Sequence, residues 1–210
     1  MWPFRRSKKS PESSPPRWYK DRPAPESVAG PRTAWDDAAV GDAPALLSRL
    51  ASGEDLGGPQ GGEGGGRTVL ATAALAGHAE CVGALCSSGR VAVDEADADG
   101  VTPLALAAWR GHTRCARVLV EAGADLDLED GYGMTALMRA AGAGNVECVQ
   151  LLALAGARRD AVNEDGKAAL NLALEGGHAV CAEVLAGTTG ADMASLPART
   201  RAALLTAAGG

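Results

Sequence analysis

An all-α solenoid of stacked helix pairs is the fold class that this 210-residue sequence predicts, and three observations carry it. A closely similar pattern restarts at Gly66, Gly100, Gly133 and Gly166, at intervals of 34, 33 and 33 residues. So regular a period belongs to a repeat array. Hydrophobic residues make up 46% of the chain, yet only seven residues are aromatic and four of those (Trp2, Phe4, Trp18, Tyr19) fall in the first 20. The remainder must pack with Ala, Leu, Val and Cys, a palette that suits a thin, layered core. Finally, each unit holds two short apolar stretches parted by a Gly, as two helices around a tight turn would be.

Residues 1–32 are rich in Pro, Ser and Arg and show no hydrophobic period. They are expected to form a disordered arm, because they bury too little apolar surface to offset the entropy of ordering. Ser10–Pro11 and Ser14–Pro15 are candidate proline-directed phosphorylation sites. The arm carries eight Lys/Arg against three Asp/Glu, a balance of +5, and the rest carries 12 against 23, a balance of −11. Residues 33–65 read as a degenerate capping repeat, "WDDAAVGDAPALLSRLASGED", followed by a Gly-rich loop, "GGPQGGEGGG". Four repeats follow, at 66–99, 100–132, 133–165 and 166–193. The tail 194–210 holds one more short helix as a terminal cap.

The second repeat shows why a unit folds. Thr102 caps a first helix, and Pro103 takes a first-turn position where a missing N–H is harmless. Leu104, Leu106, Ala107 and Ala108 give the apolar stripe. Gly111 breaks the helix, a second runs through Cys115, Ala116, Val118 and Leu119, and Gly123 ends it in a left-handed conformation. "ADLDLEDGYG" then forms an Asp/Gly-rich hairpin connection. The fourth unit lacks Thr and Pro ("GKAAL"), which predicts a ragged first-helix start and the least stable end of the array.

Several function classes are excluded. No apolar run approaches the 18 residues of a membrane span. "MWPFRRSKKS" has the charge of a signal-peptide start, but "PESSPPRWYK" follows where an apolar stretch is required. The expected location is therefore intracellular, cytoplasmic or nuclear, with the five Cys as free thiols. The acidic body would repel phosphate, so no nucleic acid is expected on it. There is no G-x-S-x-G, and the Gly-rich loop lacks the G-K-[ST] of a phosphate site. Neither an enzyme nor a cofactor is expected.

"GHAEC", "GHTRC", "GNVEC" and "GHAVC" raise the question of metal. Cys81, Cys115, Cys148 and Cys181 recur at the repeat period, so each occupies the same place in its own layer. Layers about 8–10 Å apart exceed both the Cα separation of about 4.4–6.8 Å that a disulfide spans and the reach of a shared zinc. One layer offers one His and one Cys where structural zinc takes four ligands. Buried Cys acts as a small hydrophobe. His78, His112 and His178 lie in the inter-helix turn, and Asn145 replaces His there, which suits capping the second helix. No metal is expected.

"GVTPLALAAWRGHTRCARVLVEAGADLD" resembles the ankyrin repeat, a β-turn followed by two antiparallel helices in about 33 residues. The resemblance covers residues 66 to about 193. It departs from the family where Ala71, Ala105, Met138 and Asn171 stand in place of the usual His after "TPL". The resemblance implies a non-catalytic protein-binding module, an adaptor or scaffold, that engages a protein partner through its concave face. Finger tips and the positions after the first helix's "AA" would make the contacts. The tips are Asp99, Val101, Tyr132, Met134, Glu164, Asp165 and Lys167; the helix ends are Leu75, Trp109, Arg110 and Glu175. Trp109, Arg110 and Tyr132 form the candidate hot-spot patch. The acidic fingers (Asp94, Glu95, Asp97, Asp99, then Asp125, Asp127, Glu129, Asp130) read as solvated charge, or as a rim that steers a basic partner or the chain's own arm. The alternative function is a localisation tether or regulator, in which "MWPFRRSKK" contacts an anionic membrane surface or directs nuclear import. The chain is expected to be a monomer.

Overall fold

The computed structural model describes residues 32–56 and 66–187. The arm, the Gly-rich loop and the terminal cap expected of the tail lie almost entirely outside the described residues. Within them are ten helices in five pairs: α1 Ala34–Val40 and α2 Ala43–Ser52, α3 Val69–Ala76 and α4 Ala79–Ser87, α5 Pro103–Arg110 and α6 Thr113–Glu121, α7 Ala136–Ala143 and α8 Val146–Ala155, and α9 Ala169–Glu175 and α10 Ala179–Ala186. The first helices pack on one another in sequence order, and so do the second helices, which gives two rows. Each pair covers its neighbour's apolar face, as a solenoid requires.

The first row sets the layer spacing. α5 buries every residue from Pro103 to Ala108, and α3 and α7 do nearly the same. Small Ala side chains let these helices approach closely. The second row adds two columns one helical turn apart: Cys81, Cys115, Cys148 and Cys181, then Leu85, Leu119, Leu152 and Leu185, all buried. All five cysteines are free thiols, with Cys86 half-buried. Burial pushes the Cys115 thiol up to about 11, and the other column thiols move the same way for the same reason.

Start signals work as the residues dictate. The hydroxyls of Thr68, Thr102 and Thr135 accept from the N–H of Ala71, Ala105 and Met138. In the last unit Ala168 cannot do this, yet α9 begins in register. Asn171 Oδ1 reaches back and accepts the Ala168 N–H at 3.1 Å, so one half of a capping box holds this start although the hydroxyl half is missing. The expected ragged start is therefore absent. The first pair is joined to the array across the Gly-rich loop by Trp35, whose indole N–H donates to the Arg67 carbonyl at 2.7 Å.

The histidine reading needs correction. His78, His112, Asn145 and His178 do occupy the cap positions of α4, α6, α8 and α10, but their side chains make no cap bond there. Instead they reach back one layer. His78 Nε2–H donates to Ala39 O at 3.0 Å, His112 Nε2–H to Leu75 O at 3.1 Å, and Asn145 Nδ2–H to Ala108 O and Trp109 O at 2.9 and 2.7 Å. These acceptors are last-turn carbonyls that a helix leaves unsatisfied. The ring lies on the Gly that ends the helix below: a Cβ on Gly77 would come within 2.7 Å of the His112 ring, and one on Gly144 within 2.5 Å of His178. "GH" and "GN" therefore form an interlayer tie in which the Gly belongs to one contact and the polar side chain to the next.

Candidate functional site

The fingers before α5, α7 and α9 share one construction. Asp97, Asp130 and Asn163 each accept two backbone N–H groups on one side-chain oxygen: from Asp99 and Val101, from Tyr132 and Met134, and from Asp165 and Lys167. Each hairpin closes with a backbone bond four residues on, 3.0–3.2 Å long. Adjacent fingers are bonded too, through Gly131 N–H to Asp99 O at 3.0 Å and Glu164 N–H to Tyr132 O at 3.2 Å. Gly100 has φ +78 and a Cβ there would meet Gly131 N at 3.1 Å, so both the turn and the neighbouring finger require glycine.

Two carboxylates expected to be solvated are buried. Asp97 and Asp130 are each 8% exposed. Asp130 pairs with the buried Arg139, whose Nε–H donates to Oδ2 at 2.7 Å and whose Nη2 also donates to that oxygen. Arg67 Nε stands 3.9 Å from Asp97 Oδ2. Burial raises the Asp97 carboxyl against the pull of its two backbone donors and of Arg67. Sequence reasoning read Asp97 and Asp130 as finger charge and missed that they hold the turns, and it did not single out Asn163 or Arg139. The available signals were an Asp or Asn three residues before each unit's Gly, and an Arg within the apolar run "ALMRAA".

The predicted contact residues fall into distinct groups. Val101 is fully buried and belongs to the core, not to a tip; its N–H and carbonyl close the hairpin with Asp97, which leaves the side chain inside. Met134 and Leu75 are half-buried and pack against the core. Lys167 Nζ and Glu175 Oε2 are 2.7 Å apart, so these two positions engage each other. Glu164 and Asp165 are exposed.

Trp109 is half-buried at the end of α5, and the exposed Arg110 guanidinium lies over its ring at 4.8 Å. Burial lowers the Arg110 pKa. Beside them in the next layer stands Gly142, exposed and inside α7, where a Cβ would meet only Leu172 Cβ at 3.8 Å. Tyr132 is 46% exposed. It lines an open depression of about 380 Å³ with Ala98, Asp99, Gly100 and Gly131. That depression sits at the finger end of α5 and Trp109 at the other, a separation of roughly 12 Å for eight helical residues. The structure thus brings Trp109 to Arg110 and Asp99 to Tyr132, at opposite ends of α5, and does not join Tyr132 to the Trp109–Arg110 pair.

Among the described residues, no group of three or more His, Cys, Asp or Glu is arranged to hold a metal. No helix among them is long and apolar enough to cross a membrane. A family model described as Ankyrin repeats (3 copies) matches residues 37–130 and 122–195. No curated protein matches the chain.

Proposed function

The chain belongs to the ankyrin-repeat family, whose arrays are generally protein–protein interaction modules, and from that premise we propose that it is a non-catalytic adaptor or scaffold. It engages a partner protein through the concave face, with the Trp109–Arg110 stack at the centre and Tyr132 with Asp99 at the finger edge. One observation carries this reading. Trp109 stands where the other units place Leu75, Gly142 and Glu175, so stacking does not require an aromatic there. Yet the Trp is partly exposed, under an arginine. Trp and Arg are, with Tyr, the side chains most enriched at binding hot spots.

The test uses the full chain. Proteins captured from a lysate by the intact chain are titrated against it and against Trp109→Ala. A loss of more than about 1 kcal/mol in affinity is expected, with an unchanged circular dichroism spectrum. Unaltered affinity for every captured protein would remove the site.

A further inference from the structure

Charge along the fingers is not uniform. Residues 91–101 and 124–134 together hold eight Asp/Glu and no Lys or Arg. Asp97 and Asp130 are buried beside Arg67 and Arg139, which leaves Asp94, Glu95, Asp99, Asp125, Asp127 and Glu129 nearer the surface. The next finger, 157–167, sets Arg158, Arg159 and Lys167 against three acidic residues. Among the three fingers, uncompensated acidic sequence is thus concentrated in the two whose residues line the depression at Asp99 and Tyr132. The hollow has a carboxylate, a tyrosine ring and two glycines without side chains. A guanidinium or ammonium suits it through Coulomb attraction and the ring face.

The same chain supplies a group of that chemistry. Residues 1–31 carry seven Lys/Arg against three Asp/Glu, four of them (Arg5, Arg6, Lys8, Lys9) within five positions. Reach is ample. The depression lies two to three layers from α1, roughly 20–30 Å at about 8–10 Å per layer. The 22 residues between Lys9 and Arg32 span up to about 70 Å. We propose that the stretch Arg5–Lys9 docks in cis between the fingers at 91–101 and 124–134, with one cationic side chain in the depression against Asp99 and Tyr132. Docked there, the arm covers the finger edge and leaves the Trp109 end of α5 open.

Nuclear magnetic resonance on the isotope-labelled full chain tests this. In 0.1 M NaCl, neutralising the stretch (Arg5→Gln, Arg6→Gln, Lys8→Gln, Lys9→Gln) is expected to shift the amide signals of Gly100, Gly131 and Tyr132. Raising salt to 1 M contracts the screening length from about 10 Å to about 3 Å. It should move the same signals the same way in the unaltered chain and leave them unmoved in the neutralised one. Asp99→Asn should abolish the response. The proposal is overturned if the three signals ignore neutralisation, if the response survives Asp99→Asn, or if it fades on dilution, which would assign it to another copy's arm. Partner affinity does not enter this readout, so its outcome is independent of the Trp109 assignment.

Discussion

The third and fourth units build the same finger by different means. In the third, Asp130 holds the turn and also binds the buried Arg139, and Thr135 caps α7. In the fourth, the uncharged Asn163 holds an equivalent turn, Lys167 and Glu175 pair at the surface, and Ala168 leaves the cap to Asn171. The turn therefore needs a side-chain acceptor and not a charge. The charge on Asp130 answers Arg139. Inside the array it is fixed by its ion-pair partner, whereas on the surface it is available for recognition.

That contrast can be broken most sharply at Asp130. Asp130→Asn keeps the acceptor but strands a buried guanidinium, and urea unfolding should register a loss of about 3–5 kcal/mol. Adding Arg139→Leu should restore most of it, because a packed apolar side chain often matches a buried pair. If the double variant is no more stable than the single, the pair is not the reason.

Caps come next. Thr135→Ala should lower stability by about 1 kcal/mol. In the same scans Ala168→Thr should raise it by a similar amount, since the new hydroxyl would accept the Asn171 N–H, a different donor from the Ala168 N–H that the Asn171 side chain already holds. Gly142→Ala should add roughly 0.5–1 kcal/mol, because an exposed helical glycine is replaced with room for the new methyl.

The smallest effect belongs to Asp97. Burial raises its carboxyl, so the folded chain binds that proton at a pH where the unfolded chain has lost it. The charged form thus opposes folding above the folded pKa, and the opposition fades as pH falls through that value. Asp97→Asn should keep the turn, as Asn163 does, and cost less at pH 7 than Asp130→Asn, because Arg67 Nε approaches its carboxylate only to 3.9 Å whereas Arg139 Nε bonds Asp130 at 2.7 Å. A loss comparable to that of Asp130→Asn would make Arg67 the equal of Arg139.

Thiol chemistry distinguishes two faces of the second row, since Cys81 and Cys86 share α4. With Ellman's reagent at pH 8, Cys81, Cys115, Cys148 and Cys181 should stay silent until unfolding, and the half-buried Cys86 should react first.

Most of the fold was legible because it is periodic. The cap Thr recurs in three units (Thr68, Thr102, Thr135), and the Gly after each first helix and the in-phase Cys in all four, so each is a local signal that repetition reinforces. What stayed hidden depends on the layer below. His112 looks like a cap within its own unit, and only the stack shows its bond to Leu75. Val101 follows the tip glycine, so sequence order places it outside, while the hairpin's closing bonds turn it in. Arg139 and Asp130 are nine residues apart, and no local pattern pairs them. Of the proposed site, Trp109 and Arg110 were readable as departures from the repeat, whereas the Lys167–Glu175 pairing was not.

Trp109 offers the most direct test, because the account assigns it to recognition and Asp130 to folding. Urea unfolding of Trp109→Ala and Asp130→Asn, measured side by side in the full chain, should show a loss of at most about 1 kcal/mol for the first and about 3–5 kcal/mol for the second. Equal losses would contradict the account and place Trp109 with Val101 in the core.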